Sequence, residues 1–404
     1  MSSAFRHRGA RAPLAGVLLG ATLLAGCTAA GHPRDRAQAR PSLRILAPPA
    51  TGGVLTRSFS GAGGTWVVLP MGTTGLNRFW EAFASADGGT RWRLVTPPGV
   101  ADNGGLVMAT DGGTLLAGFV PSQYLAFSPT LRTSTVGRSW GQPGILDGTL
   151  VANASALAVS KGDVLGVLGR DGGEIVAAGQ QAATGRLITN AALLSRTDAG
   201  RACGLEAITG VAALPTATLV AGVCARPGLT GLFEQRHGRW VLAGPNLPPP
   251  WRSRRVDVAR LNGDGATLTV LLQIATDRGS AVLGAWREGG SSWVETPPLA
   301  IRADGRVLAT ASRPNGSLAL LVCDDRGRCE ALETGPTTPR WRLLAPLPSG
   351  ASALALPAAQ GVTVFSVRGD TVVVRHLVEA LGTSDARWVL VQTLHVPVPY
   401  GSST

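Results

Sequence analysis

The chain has 404 residues, with 54 glycines, 27 prolines, 45% apolar residues and only 15% charged ones. That composition supplies a sizeable core and many turns, and it favours short strands over long helices. The formal net charge of +12 is carried almost wholly by arginine, Lys161 being the lone lysine. No block of basic residues interleaved with aromatics occurs, which excludes a nucleic-acid groove as the expected partner.

At the N-terminus, Arg6, His7, Arg8 and Arg11 form a basic region, and APLAGVLLGATLL (12–24) is an apolar run shorter than the ~20 residues of a membrane helix. Leu24-Ala25-Gly26-Cys27 follows. This order resembles the lipobox of bacterial lipoproteins, which implies a signal peptide over 1–26, a diacylglycerol on Cys27 and residence on the extracytoplasmic face of the cell membrane. Residues 27–42, polar, small and proline-containing, read as a flexible tether. Residues 43–404 read as one domain, with no cofactor and no metal expected.

Six tryptophans mark a repeat. Trp92, Trp140, Trp240, Trp293, Trp341 and Trp388 each follow a polar turn and open a short strand, as in RWRLV, RWVLA, RWRLL and RWVLV. They recur at intervals of about 50 residues with one interval doubled, a spacing typical of repeat architectures. DAGRAC (198–203) is a candidate filler of the double gap, with Cys203 in place of tryptophan. Hairpins of alternating apolar residues precede each tryptophan, with first strands beginning near Thr65, Leu106, Ala156, Ile208, Val256, Val307 and Ala353. A third strand then leads to the turn. Four antiparallel strands per unit, repeated seven times, predict an all-β fold, a seven-bladed β-propeller. The unit around 156–203 is the least regular, so six or eight blades also fit. The segment from Ser42 to Ser60 is a candidate outer strand for closing the last blade.

Ser85-Ala86-Asp87-Gly88-Gly89-Thr90-Arg91-Trp92 holds Ser85, Asp87, Gly89 and Trp92 in the pattern S-x-D-x-G-x-x-W. This resembles the Asp-box (BNR repeat) of sialidase-like propellers, which sits between the third and fourth strands of a blade. Degenerate copies end at Trp140 and at Trp293 (WREGGSSW, with Glu288 and Gly290). Chemically such a turn is a fastener: the carboxylate accepts backbone N–H bonds, the glycine takes a conformation other residues avoid, and the tryptophan wedges between sheets.

The resemblance implies an exo-sialidase as the enzyme alternative, with an arginine triad, a tyrosine nucleophile and an acid. The two tyrosines, Tyr124 and Tyr400, are poorly placed, and Arg44-Ile45-Leu46 lacks the proline of the family's R-I-P motif. No HExxH, GxSxG or P-loop pattern occurs. NGDG (262–265) and Arg368-Gly369-Asp370 read as hairpin turns rather than a calcium loop or an adhesion tripeptide. Four further cysteines, Cys203, Cys224, Cys323 and Cys329, allow three pairings in an oxidising compartment, and proximity favours 203 with 224 and 323 with 329. The expected function is noncatalytic, a monomeric binding or assembly platform for an envelope protein or an acidic glycan. The candidate contact is the loop GPNLPPPWRSRR (244–255), in which Trp251 offers a flat apolar face and Arg252, Arg254 and Arg255 offer anion-binding forks.

Overall fold

A computed structural model of the chain describes residues 58–61, 63–71, 79–96, 105–110, 115–120, 130–133, 139–140, 154–160, 163–168, 174–178, 186–187, 194–358, 361–379 and 386–396. The protein is all-β. Alternation of aliphatic side chains in short runs, broken by glycine turns, produces seven antiparallel sheets among these residues, each made of strands consecutive in sequence.

The first sheet orders Ser58–Gly61, Gly64–Met71, Phe79–Ser85 and Arg93–Leu94. The second contains Gly105–Thr110, Leu115–Val120 and Thr130–Thr133. The third contains Ala154–Ser160, Asp163–Leu168, Glu174–Ala178 and Arg186–Leu187. The fourth runs Leu205–Ala213, Thr218–Cys224, Leu232–Arg236 and Arg239–Leu242. In the fifth, Val256–Asp264, Thr267–Thr276, Gly279–Glu288 and Val294–Glu295 are joined by Leu299–Ile301, which pairs beside the third strand. The sixth comprises Gly305–Ser312, Leu318–Asp324, Cys329–Gly335 and Thr338–Leu343. The seventh comprises Ala351–Ala355, Thr363–Arg368, Thr371–Glu379 and Ala386–His395.

The sheets pack face to face in chain order, so interior strands are apolar on both faces. In Thr267–Thr276, Leu268, Val270, Leu272 and Ile274 face the fourth sheet, whereas Leu271 joins the layer shared with the sixth. Further apolar layers join the sixth sheet to the seventh and the first to the second. One more layer places Val67, Leu69, Phe83 and Trp92 of the first sheet against Ala353, Phe365 and Val374 of the seventh. The succession therefore closes on itself, which protects sheet faces that an open stack would leave wet.

A bulge recurs in the first strand of the last five sheets, for instance between Val258 and Arg260 and between Val307 and Ala309. Bulges increase local twist and re-aim the following side chain. Arg260 is thereby directed inward, wholly buried, with Nε donating to Ser312 Oγ at 3.0 Å and Nη1 to the Thr310 carbonyl at 3.1 Å. Its Nη2 reaches the Ser58 carbonyl at 2.7 Å, linking first strands of the fifth, sixth and first sheets.

Three sequence expectations are corrected. Thr65 belongs to the second strand of the first sheet, because the first strand is the four-residue SFSG at 58–61. The outer strand of the last sheet is Ala386–His395, so Ser58–Ser60 takes an inner position in the first sheet instead, and 42–57 lie outside the described residues. DAGRAC is not a turn between third and fourth strands. It forms an α-helix, Asp198–Cys203, on the connection into the fourth sheet. Thr197 caps it by accepting the Gly200 N–H at 3.1 Å, and a Cβ on Gly200 would lie 2.0 Å from the Leu194 carbonyl oxygen.

Candidate functional site

In a four-stranded antiparallel sheet, the turns joining strands one to two and three to four lie at one end. The two-to-three turns and the links to the next sheet lie at the other. The Ser85–Trp92 turn belongs to the first end. Ser85 Oγ donates to Asp87 Oδ1 at 2.8 Å and accepts the Gly89 N–H at 2.9 Å, while the Arg91 N–H donates to Asp87 Oδ1 at 2.9 Å. Partial burial pushes the Asp87 carboxyl upward, but the bonds from Arg91, Ser85 and Thr90 together outweigh it and hold it below the usual carboxylate range. Gly89 has φ +91°, and a Cβ there would lie 2.7 Å from Pro357 Cγ of the seventh sheet's first turn. Trp92 donates its indole N–H to the Gly89 carbonyl at 2.9 Å, and its backbone N–H donates to Gln392 Oε1 at 2.8 Å. Its ring meets Phe365 edge-on at 4.8 Å. Ser85 and Asp87 brace the turn from within, and Gly89 and Trp92 carry it onto the seventh sheet.

The loop 244–255 links the fourth sheet to the fifth at the opposite end. Four prolines, three of them consecutive at 248–250, fix its backbone, and Pro249–Trp251 forms a 3-10 turn in which the Trp251 N–H donates to the Pro248 carbonyl at 2.9 Å. Trp251 is half-buried against the apolar layer between these two sheets. Arg254 makes a two-pronged pair with Asp277, its Nη2 lying 2.6 Å from Oδ2, and Asp277 sits on the two-to-three turn of the fifth sheet. Arg255 faces Asp257 at 3.4 Å and Glu206 at 3.9 Å. Arg252 uses Nε on the Leu247 carbonyl at 3.0 Å, is exposed, and forms no ion pair among the described residues. The Gly228 N–H donates to the Arg254 carbonyl at 2.8 Å, which presses the loop against its neighbouring turn. The four site residues are thus brought together, but two of the three guanidinium forks already face carboxylates of the same chain. Their partners Asp277 and Glu206 lie in other turns and strands, and the sequence pattern carried no signal for them.

The same end carries both disulfides. Cys203, closing the short helix, pairs with Cys224 at the end of the fourth sheet's second strand, and Cys323 pairs with Cys329 across the two-to-three hairpin of the sixth. Cys27, Tyr124 and Tyr400 lie outside the described residues. No group of three or more histidines, cysteines or acids able to hold a metal occurs among the described residues.

Between sheets the ion pairs are structural. Arg287 of the fifth sheet donates to Glu234 of the fourth at 2.8 Å beneath Trp293, and Arg342 of the sixth donates to Glu379 of the seventh at 2.6 Å. A buried acid stands apart from them: Glu81, in the third strand of the first sheet, is 1% exposed and its Oε2 has no partner among the described residues. Burial pushes its carboxyl up to about 7, with the Thr96 hydroxyl opposing.

No protein-family model matches the sequence, and no curated protein is similar to it. Among solved structures, Hsv2 from Kluyveromyces lactis is similar at 13% identity and TM-score 0.46, covering 85% of this chain and 99% of its own. A fungal lectin from Aleuria aurantia, described as a six-bladed β-propeller with a novel fucose recognition mode, is similar at 12% identity and TM-score 0.41, covering 74% of this chain and 96% of its own. TolB from Acinetobacter baumannii is similar at 12% identity and TM-score 0.44, over 72% and 66% respectively.

Proposed function

We propose that this chain is a lipid-anchored, seven-bladed Asp-box propeller on the extracytoplasmic face of the cell membrane, serving as a noncatalytic platform for an envelope protein or an acidic glycan. One observation carries the reading: among the described residues, the acid of the S-x-D-x-G-x-x-W turn and a guanidinium fork of the 244–255 loop are already held by partners within the chain. Asp87 is held by its own turn, and Arg254 is forked onto Asp277. What is left for a partner at the linking end is a proline-stiffened ledge with the half-buried face of Trp251 and the exposed Arg252. A rigid ledge costs little ordering entropy on binding.

The test pairs capture with turnover. Immobilised protein is challenged with envelope extract and with an array of acidic glycans, and in parallel a panel of sialosides and other glycosides is screened for hydrolysis. Retention of a partner that is weakened by replacing Trp251 and Arg252 with alanine is expected. Hydrolysis of any glycoside would replace this reading with that of a divergent glycoside hydrolase.

A further inference from the structure

At the linking end, loops of the fourth, fifth and sixth sheets touch in succession. The segments are 225–231, 243–255, 277–278, 302–304 and the hairpin 324–328, alternately two-to-three turns and links. The Gly228 N–H donates to the Arg254 carbonyl at 2.8 Å, and Arg254 Nη2 lies 2.6 Å from Asp277 Oδ2. Ser280, just beyond the next turn, lies opposite Ile301 in the strand register, which brings the link at Arg302 alongside. Arg328 donates Nε to Asp324 at 2.7 Å. That bond holds the Arg328 guanidinium above its ordinary range, and Asp304 of the preceding link is near enough to add to it.

Each of the five segments holds one exposed arginine with no ion pair among the described residues: Arg226, Arg252, Arg278, Arg302 and Arg326. The nearby acids are engaged with other arginines. Asp277 is forked onto Arg254, Glu206 and Asp257 face Arg255, and Asp324, Asp304 and Asp325 all act on Arg328. Exposed arginines without ion pairs among the described residues also precede tryptophans toward the opposite end, at Arg91, Arg239, Arg340 and Arg387. That outer row has at most one to a sheet, and the fifth sheet carries Glu295 on its fourth strand instead. The arc is denser, because links as well as turns contribute to it.

We propose that this arc binds an acidic glycan whose charges repeat along its chain, the five arginines taking successive carboxylate or phosphate groups and Trp251 offering its open face to a sugar ring. The inference rests on the platform reading above and narrows its partner from an envelope protein or acidic glycan to a polyanionic glycan. Guanidinium forks match carboxylate and phosphate oxygens in pairs. Each exposed pair is weak, but once one charge of a chain is held the next binds at high effective concentration. The proline-stiffened loop at the middle of the arc limits the entropy lost on ordering. A folded protein partner would need acids in a row across three sheets, whereas a flexible polymer with a charge on each unit can follow the arc.

Binding of the full chain to polygalacturonate, dextran phosphate, neutral dextran and polyaspartate tests this. Both acidic glycans should bind, neutral dextran should not, and polyaspartate should bind more weakly because it has no ring for Trp251. Whichever acidic glycan binds tighter distinguishes carboxylate from phosphate as the recognised group. An R226Q/R278Q/R326Q variant should bind on the order of a hundred-fold more weakly, the loss expected for three arginines at an anionic surface. Its log–log salt dependence should flatten by about two, as for three lost contacts to a flexible polyanion. An R239Q/R340Q/R387Q variant removes the same charge from the outer row and should bind as the parent does. Equal urea midpoints certify that both variants fold. Equal losses in the two variants, polyaspartate binding as tight as the glycans, or no glycan binding would overturn the proposal. If the glycans fail while envelope extract still yields a protein sensitive to Trp251 and Arg252, the arc falls and the platform reading stands. Cleavage of a bound glycan would do the reverse, keeping the arc and removing the noncatalytic reading.

Discussion

Trp388 donates its indole N–H to the carbonyl of Ala345 at 3.0 Å, so the seventh sheet is hooked to the chain leaving the sixth. The same relationship joins Trp293 to Ala243 at 3.2 Å and Trp140 to Val95 at 2.8 Å. In each case the accepting carbonyl lies three or four residues beyond the tryptophan of an earlier repeat. The repeat therefore specifies both ends of the hook. Replacing Trp388 with phenylalanine keeps a ring in the wedge and removes the donor, so a loss of about 1 kcal/mol is expected. Alanine also removes the wedge, with a loss of about 3 to 5 kcal/mol. Urea unfolding separates the two, and identical losses would show that the N–H contributes nothing.

The Ser85–Trp92 turn should behave as a fastener. Substituting Asp87 with alanine removes acceptors for the Ser85 hydroxyl and the Arg91 N–H, and an unfolding loss of about 1 to 2 kcal/mol is expected. Gly89→Ala should cost more, because the new Cβ adds a collision with Pro357 to a left-handed backbone. Neither change should weaken a ligand held at the opposite end, measured by titration of whatever partner the capture experiment yields. Weakened binding with unchanged stability would make Asp87 a contact residue.

The repeat was legible because a tryptophan at a sheet corner needs a turn before it and an apolar strand around it. Both leave marks in composition and spacing. Six of the seven first strands lie within a few residues of the positions read from alternation, whereas SFSG is too short and too small to alternate. DAGRAC misled because its acid, glycine and cysteine match a turn in type, while Thr197 and the tight approach of Gly200 to Leu194 make it a capped helix. The forks of Arg254 and Arg255 could not be seen as occupied, since Asp277 meets Arg254 through the register of the fifth sheet's first two strands and Glu206 meets Arg255 only when the fourth sheet packs on the fifth. For Glu81 and Arg260, burial depends on ring closure between distant segments, and no local pattern encodes that.

Glu81 makes a pH prediction. Its carboxyl titrates near 7 in the folded protein because burial penalises the charge, and near 4.5 when freed. The folded state thus binds the proton more tightly. Stability should fall as pH rises from about 4.5 to about 7 and stay level above, with a total of about 3 kcal/mol from this group. Glu81→Gln keeps the shape without the charge, so its stability profile should lack that slope and exceed the parent's at pH 8. Denaturant midpoints across pH 4 to 8 check it, and parallel slopes in both proteins would mean that the carboxyl is solvated.

Arg260 is the corresponding case for a cation. Its guanidinium is wholly buried and bonded only to neutral acceptors, with the Phe59 ring 5.4 Å away, and burial pushes it down to about 9, still charged at neutral pH. A planar fork reaches acceptors on three strands at once, whereas an ammonium is a single point. Arg260→Lys should therefore lose about 3 kcal/mol at pH 7, leaving carbonyls of Ser58 and Thr310 competing for one nitrogen. A buried lysine is also driven toward its neutral form, so the folded state binds its proton less tightly than the unfolded state. The variant should consequently regain stability as pH rises from 7 to 8, where the parent's arginine, pushed down only to about 9, stays charged and contributes almost no slope. Arg260→Met carries no charge to bury, and its deficit should be flat over the same range. If the lysine variant were as stable as the parent at pH 7 and showed no slope, Arg260 would not be joining the three sheets through its fork, and their closure would rest on the apolar layers alone.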